Sequence, residues 1–232
     1  MSDVILEVCN LSKTFAEGDR QRRVFSNLNA SIRKGEFVVL LGRSGSGKST
    51  LLNLISGIDL PSGGEVRIGG RNLTGMTEQQ RTLFRRDHIG FVFQFYNLIP
   101  TLNVMENLLL PLELKKSLDA DSQRRALDIL QQVGLEDRSA SYPDRLSGGE
   151  QQRVAICRAL IHNPLVLLAD EPTGNLDAES GREVLALLDQ LIRKGRMTAL
   201  MVTHSAEVAR LADRVITIKD GGLVETAAST EA

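Results

Sequence analysis

The chain reads Gly42-Arg43-Ser44-Gly45-Ser46-Gly47-Lys48-Ser49-Thr50 directly after a continuously apolar segment, Phe37 to Leu41. The glycines allow successive backbone N–H groups to turn toward an anion, and the helix expected from Lys48 onward directs its positive dipole end at the same place. The pattern predicts a buried strand, a phosphate-binding loop and a helix. A glycine-rich turn without a ligand is the alternative, and the amphipathic segment Leu51 to Ile55 after the loop argues against it.

Two side chains of the loop have expected roles of their own. Lys48 would supply a positive charge to the β- and γ-phosphates, and the hydroxyl of Ser49 would be a ligand for Mg²⁺. The loop residues expected to contact the nucleotide phosphates are Gly42, Ser44, Gly45, Ser46, Gly47, Lys48, Ser49 and Thr50.

Hydrophobic patterning predicts a mainly parallel sheet. Leu165 to Ala169 and Thr198 to Val202 are as continuously apolar as Phe37 to Leu41, which is typical of strands covered on both faces. Alternating segments predict short, half-buried strands at Ile5 to Val8, Leu28 to Ile32 and Glu65 to Ile68.

The rest of the chain divides into a helical middle and a short C-terminal region. Helical spacing dominates from about Asn97 to Leu160, which predicts a helical subdomain inserted into the parallel core. Asp220-Gly221-Gly222 between two apolar segments predicts a hairpin, and Thr226 to Ala232 is expected to be a loose tail.

Two adjacent carboxylates follow one of the apolar strands. Asp170 stands at the strand end, where a carboxylate can meet Mg²⁺, and Glu171 would be the general base for the attacking water or would position it. A solvated turn before Pro172 is the alternative in isolation, and the phosphate-binding loop upstream disfavours it.

A second helix start directed at an anion is expected at Leu146-Ser147-Gly148-Gly149-Glu150-Gln151, here called the signature segment. Ser147 can cap the helix, and its hydroxyl and the N–H groups of Gly148 and Gly149 would form a phosphate-binding surface. Taken alone, these residues indicate only a cap and a turn.

Together, the phosphate-binding loop and the signature segment resemble those of the ATP-hydrolysing subunits of ABC transporters, over about Ile5 to Glu225. The resemblance implies an α/β fold with a mainly parallel core sheet, an N-terminal antiparallel β subdomain and an inserted helical subdomain. It places the core at about 1–93 and 162–225, the helical subdomain at about 94–161 and the tail at 226–232. It also implies a homodimer in which Ser147, Gly148 and Gly149 bind the γ-phosphate of ATP held by the opposite chain.

Four further positions match the family residue by residue. Gln94 would reach Mg²⁺ and the water, Asp177 lies in a loop that crosses the dimer interface, and His204 would contact the γ-phosphate. Phe15 occupies the place of an aromatic residue that stacks on adenine, where tyrosine is commoner; a core or hairpin aromatic is the alternative. Arg43 is a small departure from the family, with little consequence expected.

The segments 83–107 and 168–177 resemble one bacterial branch of the family, which serves lipoprotein release, macrolide export and cell division. The resemblance implies an integral membrane permease with few spans and a large extracytoplasmic domain as the partner. It places this chain peripherally at the cytoplasmic face of the inner membrane. Phe95 to Pro100 would offer a groove for a partner helix or would pack the core of the helical lobe, and the sequence favours neither.

Composition bears on the alternatives. The 232 residues carry a net charge of −1, which gives no sign of binding to nucleic acid. No leader is expected at Met1, and no apolar segment is long enough to span a bilayer. A soluble ABC-type ATPase acting on ribosomes or nucleic acid is the alternative function, although this chain has neither a second cassette nor a long coiled-coil insertion. A P-loop kinase or GTPase would lack the signature segment.

Overall fold

The computed structural model describes residues 3–18, 20–43, 45–219 and 221–227. Contacts between residues define two compact units, one of Met1–Arg85 with Ile192–Ala232 and one of Arg86–Leu191, here called the first and second units. The strands are β1 Val4–Glu17, β2 Arg20–Arg33, β3 Phe37–Leu41, β4 Gly63–Ile68, β5 Arg71–Asn72, β6 Ile89–Val92, β7 Val166–Asp170, β8 Thr198–Thr203, β9 Arg214–Lys219 and β10 Gly222–Ala227. The helices are α1 Lys48–Ile55, α2 Glu78–His88, α3 Val104–Leu114, α4 Ser122–Gln132, α5 Gly148–Leu160, α6 Ala178–Gly195 and α7 Ala206–Ala209.

The first unit contains an antiparallel sheet in the order β2-β1-β4-β5. Strands β1 and β2 form one long ribbon, whereas the sequence predicts two short strands. The ribbon has four register shifts, and it continues past the two nearest Asn10 and Asn27 because these residues adopt left-handed backbone conformations. The backbone N–H of Asn10 donates to the Asn29 side chain at 2.9 Å and that of Asn27 to the Ser12 hydroxyl at 3.0 Å, so side chains replace the missing ladder bonds.

The other strands of the first unit lie in the order β10-β9-β3-β8. Strand β3 pairs in parallel with β8 on one side and β9 on the other, and its residues Phe37 to Leu40 are buried. The predicted hairpin is present as the antiparallel pair β9 and β10. It extends through Thr226 and Ala227, which pair with Val215 and Arg214, so the expectation that the tail begins at Thr226 is wrong for these two residues.

The second unit holds the parallel pair β6 and β7 and the helices α3, α4 and α5. Helix α5 approaches β6 closely, since a Cβ on Gly90 would lie 2.4 Å from the backbone oxygen of Ala159. Helix α4 ends at Gln132, and Gly134 follows in a left-handed conformation.

The antiparallel N-terminal sheet and the parallel core strands confirm the predicted α/β class. The inserted subdomain at 94–161 and the core at 1–93 and 162–225 stay predictions. Of the two cysteines, Cys9 on β1 is partly exposed, whereas Cys157 on α5 is buried, and burial raises the pKa of its thiol to about 12. Within the described ranges, we find no helix with the length and apolar character needed to cross a bilayer.

Candidate nucleotide site

The predicted loop joins β3 to α1, and its last glycine is the N-cap of the helix. Gly47 has a φ of 95°, and a Cβ at this position would lie 2.7 Å from side-chain atoms of both Val24 and Phe25. A side chain is therefore excluded on grounds of both backbone conformation and space. The chain enters α1 with its first N–H groups directed toward the loop, as an anion site requires.

The amine of Lys48 is held by the loop itself. Lys48 is 8% exposed, and its Nζ donates to the backbone oxygens of Gly42 at 2.9 Å and Arg43 at 3.2 Å. These carbonyls hold the positive charge at the loop, where arriving phosphate oxygens would exchange with them. Ser44 lies outside the described residues, and Ser49 and Thr50 lie in the first turn of α1.

A cavity of about 650 Å³ borders the loop, and His204 is among its lining residues together with Gly42, Arg43, Ser46 and Lys219. His204 follows β8 directly and is exposed. The hydroxyl of Ser46 is buried and has no hydrogen-bond partner among the described residues. The first unit thus places the loop and His204 at one cavity.

Phe15 lies on the β1–β2 ribbon of the same unit and is only partly buried. The Nζ atom of Lys13 is 4.7 Å from the centroid of the Phe15 ring, and the guanidinium carbon of Arg22 is 5.9 Å from it. Lys13 is fixed there by an ion pair with Asp59 at 2.6 Å. Sequence reasoning missed both cations. The available signal was that Lys13 stands two residues before Phe15, on the same face of a strand, and that Arg22 faces Phe15 across the ribbon.

In the second unit, the carboxylate pair stands where the sequence predicts it. Asp170 is the last residue of β7 and Glu171 follows it, both partly buried. Glu171 has a φ of 45°, a left-handed conformation that is uncommon for a glutamate. Its backbone oxygen accepts from the N–H of Gly174 at 3.0 Å, so a tight turn begins at this residue.

Gln94 is bonded to the loop that follows this turn. Its Nε2 donates to Oδ1 of Asn175 at 3.0 Å, and Nδ2 of Asn175 donates to the backbone oxygen of Gln94 at 3.1 Å. A Cβ on Gly174 would lie 2.8 Å from Nε2 of Gln94, so glycine leaves the space that the amide occupies. The second unit therefore brings Gln94 to the segment that follows Glu171.

The signature segment forms the predicted helix start. Ser147 is the N-cap of α5, and its hydroxyl accepts from the N–H of Glu150 at 3.3 Å while the Glu150 carboxylate accepts from the N–H of Ser147 at 2.7 Å. The bond from the Ser147 backbone holds the pKa of the Glu150 carboxyl below its usual range. Gly148 lies against Tyr96 and Leu176, whose side-chain atoms would be 2.7 and 3.2 Å from an added Cβ.

Asp177 caps the next helix. Its carboxylate accepts from the N–H groups of Ser180 at 2.9 Å and Glu179 at 3.0 Å and from the Ser180 hydroxyl at 2.7 Å. The Ser180 backbone bond is the main reason that the pKa of Asp177 is lowered. A local role at the start of α6 thus accompanies the predicted role at a dimer interface.

The predicted residues fall into two sets. Those of the first unit are Phe15, Gly42, Gly45, Ser46, Gly47, Lys48, Ser49, Thr50 and His204. Those of the second unit are Gln94, Ser147, Gly148, Gly149, Asp170, Glu171 and Asp177. Sequence reasoning did not single out Gln152 of the second unit. The available signal was a glutamine on the buried stripe of α5, in line with Ile156 and Ala159.

Comparison with protein-family models matches residues 25–174 to the ABC transporter family. An uncharacterized ABC transporter ATP-binding protein of Mycobacterium tuberculosis is 54% identical over 95% of this chain and 89% of its own length. The chain belongs to the ABC transporter family. As such, it is an ATP-binding subunit and an ATPase.

Other relatives of this ABC subunit have more specific names. The lipoprotein-releasing system ATP-binding protein LolD of Psychrobacter arcticus is 43% identical, covering 94% of this chain and 96% of its own. The macrolide export ATP-binding/permease protein MacB of Escherichia coli is 45% identical over 95% of this chain, which spans 34% of MacB. A dimeric structure of the ATP-binding cassette MJ0796, in a post-hydrolysis state with ADP and Pi, matches with a TM-score of 0.87 and 41% identity, covering 98% of this chain and all of that one.

Proposed function

We propose that the chain is the homodimeric motor of a bacterial ABC system of the lipoprotein-release or macrolide-export type. In this proposal it lies peripherally at the cytoplasmic face of the inner membrane. ATP-driven closure of its dimer would move an integral membrane permease with few spans and a large extracytoplasmic domain. The likeness to LolD over nearly the full length of both chains supports this branch.

The loop and the first turn of α1 would bind the triphosphate. The Lys48 amine would exchange its carbonyl partners for the β- and γ-phosphates, and the ring of Phe15 would stack on adenine. The hydroxyl of Ser49, the carboxylate of Asp170 and the amide oxygen of Gln94 are hard oxygen donors, which fits Mg²⁺. When bound, Mg²⁺ would neutralise charge on the β- and γ-phosphate oxygens.

Glu171 would be the general base or would orient the attacking water, with Gln94 contacting the same water. His204 would donate to the γ-phosphate, and its place at the cavity beside the loop supports this role. The tight turn at Glu171 and the bond between Gln94 and Asn175 keep the two side chains on neighbouring segments of the second unit.

The signature segment would complete the site of the opposite chain. Ser147 is exposed at the start of α5, where a helix N-terminus and two glycine N–H groups attract an anion. Asp177 would lie at the same interface. The observation that carries the proposal is this capped, exposed helix start in a chain that matches a dimeric cassette over 98% of its length.

The test is the substitution Glu171→Gln. We expect ATP binding to persist, hydrolysis to stop and an ATP-bound dimer to accumulate, as measured by light scattering in saturating ATP. Monomeric protein under these conditions would refute the shared site.

The tagged variant, bound to ATP, would then be used to isolate partners from detergent-solubilised membranes. A permease with few spans and a large external domain is expected. A many-spanning permease would overturn the branch, and ribosomes or DNA-bound proteins would overturn the transporter role.

A further inference from the structure

The side chain of Gln152 connects three segments of the second unit. Gln152 lies on α5, directly after the signature segment, and is completely buried. Its Nε2 donates to the backbone oxygen of Pro172 at 2.6 Å and to that of Phe93 at 3.2 Å. Pro172 follows Glu171 directly and Phe93 precedes Gln94, so each acceptor adjoins a residue proposed to act in hydrolysis.

The orientation of this amide is fixed by its acceptors. Both hydrogens of Nε2 are used, and a flipped amide would place Oε1 against two carbonyl oxygens. Oε1 is itself buried without a hydrogen-bond partner among the described residues. Burying an amide with an unpartnered oxygen is unfavourable, so packing alone would favour an apolar side chain here. An apolar residue cannot supply the two hydrogen bonds to the backbone carbonyl oxygens.

A second side chain of α5, that of Arg158, binds the segment that continues from Phe93 through Gln94. The guanidinium of Arg158 donates to the backbone oxygens of Asn97 at 2.7 Å and Tyr96 at 3.0 Å. Burial lowers the pKa of Arg158. Gln152 and Arg158 therefore attach residues 93–97 to α5 on both sides of Gln94.

We propose that Gln152 is a positioning residue for ATP hydrolysis. It links the helix that begins at Ser147 to the backbone next to Gln94 and next to Glu171. Its two hydrogen bonds hold the backbones beside both hydrolytic side chains in fixed positions relative to α5. The inference rests on the roles proposed above for Gln94 and Glu171.

The test is Gln152→Met, which keeps the length and volume of the side chain and removes both donors. We expect kcat to fall by about ten- to a hundred-fold, with KM for ATP unchanged, because a displacement of about 1 Å at the reacting groups has this effect. A lower melting temperature alone, with kcat preserved, would overturn the proposal.

Two control variants separate positioning from stability. Ile156→Val lies one turn later on the same buried stripe and should lower the melting temperature by about 2–4 °C while leaving kcat intact. Gln132→Met removes the hydrogen bond that Nε2 of Gln132 donates to the backbone oxygen of Asp128 on the exposed face of α4, and it should change neither property. If Ile156→Val lowers kcat as much as Gln152→Met does, the effect is one of stability and the proposal fails.

A double-mutant cycle tests the route. In the Gln94→Ala background, Gln152→Met should cost much less in kcat than it does in the wild-type chain, since one of its targets is already absent. Additive losses would overturn the proposal. Continued hydrolysis by Glu171→Gln would instead refute the assigned site, whereas arrest by Glu171→Gln with wild-type rates for Gln152→Met would refute only the present inference.

Discussion

Glu171 combines the carboxylate proposed to act on the attacking water with an unfavourable backbone conformation. A left-handed conformation costs an L-residue with a Cβ about 1–2 kcal/mol, and the cost is met by the surrounding fold. Here the bond from the Gly174 N–H to the Glu171 oxygen closes the turn that requires this conformation. The strain fixes the direction in which the carboxylate leaves the end of β7.

Substitutions at Glu171 should separate stability from activity. Glu171→Gly should be more stable than Glu171→Ala by about 1 kcal/mol, because glycine adopts a positive φ without steric cost. Both variants should lose hydrolysis. Urea unfolding of the two purified variants gives the difference in their free energies of unfolding.

The matched control is Glu183, which is exposed on helix α6. There the order should reverse, with Glu183→Gly less stable than Glu183→Ala by about 1 kcal/mol, since glycine is unfavourable inside a helix. The same order at both positions would show that the backbone of Glu171 is not strained.

At the scale of elements, α5 combines a capped N-terminus with a fully buried face. The reciprocal bonds of Ser147 and Glu150 satisfy N–H groups at the helix start, and the negative carboxylate also favours this end of the dipole. Because the pKa of Glu150 is lowered, its contribution to stability is fully present above its unfolded-state pKa. It is lost as the pH falls through the lowered folded-state value.

Glu150→Gln should remove this pH dependence. At neutral pH we expect stability close to that of the wild type, because glutamine can also close a capping box, whereas Glu150→Ala should cost about 1–2 kcal/mol. Below about pH 4.3, the usual pKa of glutamate, the wild type should lose stability relative to Glu150→Gln. Urea midpoints at pH 7 and pH 4 measure both effects, and a pH-independent difference would contradict the linkage.

The sequence predicts the elements with a strong local pattern and misses those fixed by distant partners. Strands β3, β7 and β8, the loop before α1 and the cap at Ser147 all follow from nearby residues. The full length of the β1–β2 ribbon does not, because Asn10 and Asn27 interrupt the alternation and their compensating bonds come from across the ribbon. The acceptors of Gln152 likewise lie 59 and 20 residues away in the chain.

At the scale of the whole molecule, the predicted site residues are divided between two units. The loop and His204 belong to the first, and the signature segment, Glu171 and Gln94 belong to the second. In the proposed dimer each ATP would contact the loop of one chain and the signature segment of the other. Each chain would then contribute to two half-sites, as two-fold symmetry requires.

Mixing two inactive variants tests this division. Lys48→Ala should fail to bind ATP, and Ser147→Arg should bind ATP without hydrolysing it. A mixed dimer retains one intact site, formed by the loop of the Ser147→Arg chain and the signature segment of the Lys48→Ala chain. An equal mixture should therefore recover about a quarter of the wild-type ATPase rate. No recovery, although mixed dimers form, would mean that each chain hydrolyses ATP with its own residues.

The contrast between the two cysteines has a practical consequence. Alkylating reagents attack the thiolate, so Cys157, buried and with a thiol pKa of about 12, should resist labelling at neutral pH. Cys9 is partly exposed on β1, the strand that also carries Phe15. A maleimide dye should therefore attach at Cys9 in the natural sequence and leave Cys157 unlabelled, which gives a single label per chain without any substitution.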